Sequence, residues 1–243
     1  GSGPSGLECT MQLARRGYHV TLAEADNKLG GRVLFESGLK GLSAWKRVSD
    51  NRIYEIQQKN NIEIYKESEL TLSHINELGI NNIFLATGSS WRKDGVGRSR
   101  RKPVQGLESL QVLTPEEAIK QSPNLRGPIV VYDDEQGYLA GVIADHLSFD
   151  EHEVIFITPA SVVSPWTEST LEQKRIQKAL LVSGVNVICN KTIDKAEGSN
   201  LNLKCVFTGE ISLLKCSSLV MVTERIPNTK LYDQLVEQEN NTE

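Results

Sequence analysis

The sequence predicts an α/β fold of two doubly wound domains, each built on a parallel sheet. Three observations carry that expectation. The first 32 residues run glycine turn, amphipathic helix, apolar strand, carboxylate. A second strand–turn–helix–strand series begins near residue 127. The apolar runs at 83–86, 129–132 and 219–222 are short and unbroken, as strands covered on both faces read.

The opening turn, Gly1-Ser2-Gly3-Pro4-Ser5-Gly6, has the spacing that holds the ADP half of a dinucleotide. Gly1 allows a tight turn, Gly3 lets backbone approach a pyrophosphate, and Gly6 lets helix and sheet pack closely. The helix that follows presents free N–H groups and a positive dipole end to phosphate. Glu24, about 18 residues past Gly6, stands where a carboxylate accepts hydrogen bonds from ribose hydroxyls.

A helix is expected over 5–16, with Leu7, Met11 and Ala14 on one face and Gly17 ending it. The expected order continues with a strand at 19–23, a glycine-rich loop at 29–42 and a polar helix at 43–59. A half-buried strand at 62–65, a turn at Asn81-Asn82 and a buried strand at 83–88 follow. That last strand ends in Ala86-Thr87-Gly88, small residues that permit close approach to a dinucleotide. Residues 91–102 carry six basic side chains and read as a solvated linker, with an anion- or partner-contacting loop as the alternative. In the second half, strands are expected at 129–132, 154–158, 185–189 and 219–223 and helices at 138–149 and 171–183, with a hairpin at 201–207 and 211–215. Both halves read as Rossmann-like domains, 1–105 and 106–225, with 226–243 returning toward the first.

The turn after 129–132 reads Asp133-Asp134-Glu135-Gln136-Gly137, where a nicotinamide site would need glycines. These carboxylates are expected to satisfy the next helix's N–H groups and to repel a pyrophosphate. At roughly 4 Å and an effective dielectric near 20, each repulsion is about 4 kcal/mol. Thr158 and Pro159 then offer neither a ribose acid nor an arginine for a 2′-phosphate. The second half is expected to keep the fold without NAD(P).

A net charge of −4 over 243 residues implies no general affinity for nucleic acid or anionic membrane. No apolar run approaches the roughly 20 residues of a membrane span, and no secretory leader is visible, so a cytoplasmic location is expected. Cys9, Cys189, Cys205 and Cys216 have neither CxxC nor metal-ligand spacing and read as reduced thiols. His19, His74, His146 and His152 fall in no catalytic pattern, so no catalytic or metal centre is expected within the chain.

These motifs, with Leu29-Gly30-Gly31-Arg32, Gly41-Leu42-Ser43-Ala44-Trp45, Trp91-Arg92 and Val131-Tyr132-Asp133-Asp134, resemble one family. It is the trimethylamine, dimethylamine and histamine dehydrogenases, of the NADH:flavin oxidoreductase group, and the likeness is to their C-terminal region. The resemblance implies two glutathione reductase-type FAD/NAD(P)-binding domains, here a fragment lacking the first strand and the C-terminal Gly-Asp segment. It implies ADP or FAD held by Gly1, Gly3, Pro4, Ser5, Gly6, Glu24, Ala25, Gly31, Arg32, Thr87 and Gly88. Covalent FMN and a [4Fe–4S] cluster would belong to an N-terminal barrel outside these residues. A small amine substrate, an electron-transfer flavoprotein as acceptor and a homodimer are implied for the whole protein. Two alternatives stand beside it: an FAD-containing NAD(P)H-dependent reductase of the 2,4-dienoyl-CoA reductase type, and a non-catalytic nucleotide-binding or interaction module.

Overall fold

A computed structural model of the protein describes residues 1–80, 82–149 and 152–240. The chain divides into two compact units, one of residues 1–90 with 227–243 and one of 91–226. Asn81 of the expected turn, and residues 241–243 of the returning segment, lie outside the described residues.

In the first unit, α1 (Pro4–Arg15) buries Leu7, Met11 and Ala14, the stripe its i, i+4, i+7 spacing requires. Gly17, at φ 90°, takes the left-handed position after it. Strand β1 (Val20–Ala23), α2 (Arg32–Glu36), α3 (Lys46–Gln57), β2 (Ile62–Tyr65) and α4 (Leu72–Leu78) follow. β1 and β2 pair in parallel with Val20 opposite Ile62. The core between them and the helices is Leu7, Met11, Leu22, Leu29 and Ile56. Arg52 of α3 reaches Glu8 of α1 at 2.6 Å, and Arg15 pairs with Glu55, so the two helices are also tied at their polar edges.

Two expectations change here. The 29–42 loop contains a short helix, α2, opened by Gly30 and Gly31 at positive φ. The stretch 83–88 is not a buried strand: it has no strand assignment, and Ile83, Phe84 and Leu85 are 38, 62 and 37% exposed. An apolar run becomes a strand only where a neighbour takes its N–H and C=O groups. Among the described residues no strand pairs with it.

The chain crosses between units through β3 (Ser89–Trp91). The second unit then lays down β4 (Gln111–Leu113), α5 (Pro115–Lys120), β5 (Ile129–Asp133), α6 (Leu139–Ser148), β6 (Val154–Ile157), α7 (Gln173–Val182) and β7 (Asn186–Ile188). After them come β8 (Lys191–Glu197), β9 (Asn200–Cys205), β10 (Ile211–Lys215) and β11 (Ser218–Val222). Strand β12 (Arg225–Pro227) pairs with β3 and leads to α8 (Lys230–Asn240) in the first unit.

The main sheet is parallel, in the order β4-β11-β5-β6-β7. Every residue of β5, β6 and β11 is buried, which is why 129–132, 154–157 and 219–222 read as unbroken apolar runs. The expected hairpin is a three-stranded antiparallel sheet, because β8 joins β9 and β10. Residues 91–105 belong to this unit: Val104 enters its core, Gln105 bridges to Lys195, and Arg100 Nη1 donates to Ile193 O at 3.1 Å. The two compact units divide at 90/91 and 226/227. No helix among the described residues is long and apolar enough to cross a membrane.

Candidate functional site

The glycine turn of the first unit is a packed object with one open face. A Cβ on Gly6 would lie 1.9 Å from Gly1 O, and one on Gly1 would lie 2.4 Å from Ala86 O. Side chains are thus excluded where the turn folds on itself and where residue 86 passes. Gly31, at φ 56°, comes so near that its Cβ would stand 2.9 Å from Gly3 Cα. Gly30 N donates to Ser2 O at 3.0 Å. Gly3 is the exception, since a Cβ there would meet nothing within 4 Å.

That open face lies at the mouth of α1. Gly3 is the N-cap, Pro4 occupies the first turn, no side chain caps the helix, and no acid stands in its first turn. First-turn N–H groups with no side-chain cap, beside open space at Gly3, suit an anion. The residues present therefore fit a pyrophosphate.

Glu24 closes the other side. It is buried; Oε2 accepts from Ser2 N and Ser2 Oγ, both at 2.6 Å, and Oε1 accepts from Asp26 N at 2.9 Å. Burial pushes its carboxyl pKa up, but the hydrogen bonds from Asp26 and Ser2 outweigh burial and hold it below the usual value. A carboxylate offers about four lone-pair sites, so roughly one is left for a further donor.

On the far side of the turn, Thr87 and Gly88 are exposed and are gripped by Asn228. Arg32 is half-buried and pairs with Glu36 at 3.6 Å along α2.

In the second unit the equivalent mouth is closed. The turn after β5 bonds back to β11, Asp134 N and Glu135 N both donating to Val222 O at 2.9 and 3.0 Å. Asp134 is buried and accepts from Ser99 N at 3.0 Å and from Ser99 Oγ at 2.6 Å. The loop comes so close that a Cβ on Gly97 would lie 2.4 Å from Asp134 Oδ2. Gln136 O accepts from Trp166 N at 3.2 Å, Arg98 stacks over Trp166 at 4.8 Å, and Arg225 pairs with Glu135 at 2.9 Å. In an open parallel sheet the dinucleotide crevice lies at the strands' carboxyl ends, where strand order reverses. Here that is the β5–β11 edge, and the protein's own groups fill it.

This corrects the expectation for Asp133, Asp134 and Glu135. They do not cap α6, which starts at Leu139 with Tyr138 as N-cap and no acid in its first turn. Asp133 instead turns inward, Oδ1 accepting from Gln136 N at 2.7 Å, and Oδ2 is buried with no partner among the described residues. Burial, then the neighbouring Glu135 and Asp134 charges, push the Asp133 pKa well above the usual value, and burial also raises Asp134. Occlusion, rather than fixed negative charge, is what the geometry supplies.

A family model described as pyridine nucleotide-disulphide oxidoreductase matches residues 1–242. The chain belongs to this family. It is 26% identical to dimethylamine dehydrogenase from Hyphomicrobium sp. (strain x), across 97% of this chain and 35% of that protein. It is similar to the solved structure of histamine dehydrogenase from Rhizobium sp. 4-9, with TM-score 0.95 and 40% identity over 99% of this chain and 37% of that one. The 6-hydroxypseudooxynicotine amine oxidase of Pseudomonas geniculata N1 gives TM-score 0.93 and 33% identity over 99% and 36%. Thioredoxin reductase of T. acidophilum, 16% identical with TM-score 0.59, shares the fold. The chain thus spans about a third of the length of its amine-oxidising relatives. It is related to dimethylamine and histamine dehydrogenase within the flavin-dependent oxidoreductases.

Within this chain, the structure brings Gly1, Gly3, Pro4, Gly6, Glu24 and Gly31 to one turn, with Ala86 and Thr87 against it. Ser5 is exposed on the first turn of α1. Ala25 is exposed beside Glu24, and Arg32 faces Glu36. Sequence reasoning missed Ser2, a fully buried hydroxyl that links Glu24 to the turn, and Asn228. It also read residues 91–102 as a linker. Instead Arg92 pairs with Asp94 at 2.5 Å, Lys93 with Glu117 at 2.6 Å, and Arg100 bonds backbone carbonyls. Trp91 is buried in the second unit, its Nε1 donating to Glu116 at 3.2 Å.

Proposed function

We propose that the first unit holds the ADP moiety of a nucleotide, as ADP or within FAD, in a flavin-dependent amine dehydrogenase. The observation that carries this reading is the open face at Gly3, on an uncapped and acid-free helix mouth, with Glu24 fixed beside it. The N–H groups of the first turn of α1 would take the pyrophosphate, and Gly3 admits it without steric contact. Glu24, ionised at neutral pH, would accept from a ribose hydroxyl. Gly31 lies against Gly3, and Ala86 and Thr87 line the turn at Gly1; the resemblance adds Ala25, Arg32 and Gly88 to the ligand-holding set. Bound FAD would bring a redox-active flavin, whereas ADP would serve as a structural ligand.

The names of the relatives, dimethylamine and histamine dehydrogenase, support a small amine as substrate, and the sequence resemblance extends the reading to FMN and a [4Fe–4S] cluster held outside these residues and an electron-transfer flavoprotein as one-electron acceptor. A cytoplasmic homodimer completes it. The second unit, with its crevice filled from within, binds no NAD(P) in this reading, which disfavours an NAD(P)H-dependent reductase.

The test is to release and identify the nucleotide from the full-length protein. One ADP per chain without a second flavin supports the amine dehydrogenase reading. Stoichiometric FAD together with NADPH-driven reduction would replace it by the reductase, and absence of any adenine nucleotide would remove the site.

A further inference from the structure

The sequence gives Asn228 no obvious task, yet just past β12 it carries four hydrogen bonds to residues 87, 88 and 90, at the start of the β3 strand that β12 pairs with. Asn228 N donates to Gly88 O at 3.0 Å, and Thr87 Oγ1 donates to Asn228 O at 2.7 Å. The side chain adds Nδ2 to Thr87 O at 2.9 Å and accepts from Ser90 Oγ at 3.0 Å. All four residues are exposed. A clasp of this density at a solvent-facing strand end does little for a core, because none of its members lies in one. What it fixes is the path of residues 86–88.

That path matters because it is the wall of the glycine turn. Ala86 O stands 2.4 Å from where a Gly1 Cβ would be, and Ala86 Cβ stands 3.2 Å from a Gly6 Cβ. Gly88 turns away at φ 73° with open space around it. We propose that Asn228 is a positioning residue for the nucleotide cradle, holding the Thr87–Gly88 wall against the turn through its carboxamide. The inference rests on the nucleotide reading of the first unit. It assigns the clasp to ligand affinity rather than to folding, because all its members are exposed and none contributes to a core.

The test uses full-length protein freed of nucleotide, with ADP as the probe. Asn228→Ala removes both side-chain bonds. Asn228→Asp keeps the acceptor toward Ser90 and places a second acceptor against Thr87 O, and Ser90→Ala removes only the Ser90 contact. Asn228→Ala and Asn228→Asp are expected to weaken ADP about tenfold, the equivalent of one lost hydrogen bond. Ser90→Ala should bind as wild type, and the ligand-free thermal midpoint should stay unchanged in all three. Wild-type ADP affinity in both Asn228 variants would overturn the inference and leave the nucleotide reading intact. Parallel loss of affinity and ligand-free stability in Asn228→Ala, with full rescue in Asn228→Asp, would overturn it as a folding effect. A wild-type protein that binds no ADP would overturn both.

Discussion

Replacing Gly3 by alanine separates a ligand cradle from an ordinary turn. The new Cβ would meet nothing within 4 Å, and Gly3 already sits at φ −64° and ψ 177°, which alanine adopts freely. Alanine is a poorer N-cap than glycine, while the stiffer unfolded chain returns about 0.4–1 kcal/mol. The two effects nearly cancel, so ligand-free stability should change by under about 1 kcal/mol, or roughly 2–4 °C in a protein of this size. The nucleotide tells a different story, because the methyl would stand in the open space at the helix mouth where a pyrophosphate is proposed to bind. Displacing a pyrophosphate from one charge-assisted bond costs about 1.5–3 kcal/mol, which is roughly 10- to 100-fold in affinity. Calorimetric titration of ADP into the full-length variant, beside a ligand-free thermal melt, reads both quantities. Unchanged ADP affinity in Gly3→Ala would refute the assignment of the open face to phosphate.

Gly6→Ala should behave oppositely, losing about 1–3 kcal/mol or more of ligand-free stability, because its Cβ would stand 1.9 Å from a backbone oxygen; a denaturant melt checks it. The raised pKa of Asp133 means the native state holds a proton that the unfolded chain releases. That stability is complete below the unfolded carboxyl's pKa and is lost as pH rises through the folded one, so Asp133→Asn should flatten the fall in thermal midpoint as pH rises above the unfolded carboxyl's pKa. Glu24 has the reverse sign: its lowered pKa contributes stability above the unfolded value that is lost as pH falls through the folded one, and Glu24→Gln should blunt that acid-side loss in the same melts. Hydrogen bonds from Thr208 bring Cys205 down to about 7, while burial lifts Cys216 to about 12. Iodoacetamide followed by peptide mapping should therefore find Cys205 modified first and Cys216 last.

Much of the scaffold was legible because its signals are local. The Leu7, Met11, Ala14 spacing and the unbroken runs of β5, β6 and β11 each report burial through a period that a short window contains. The glycine turn was legible for the same reason, since its geometry is set within six residues and confirmed by Gly31. The failures are non-local. β8 reads Lys-Thr-Ile-Asp-Lys-Ala-Glu, and its charges hide a strand whose partner β9 defines it. The stretch 83–88 looks like a strand because its residues favour one, but pairing decides, and no partner is present among the described residues. The acidic turn was located correctly and its chemistry was not. Burial of Asp134 depends on Ser99, 35 positions upstream, folding over it.

The exposed Ile83, Phe84 and Leu85 have a practical side for anyone handling these 243 residues as a separate chain. Three large greasy side chains in a row, on backbone that pairs with no strand among the described residues, make an adhesive seam onto which a second molecule would zip edge to edge. Preparations of the isolated chain should clump through that seam, and a lysine introduced at Phe84 should keep them clear.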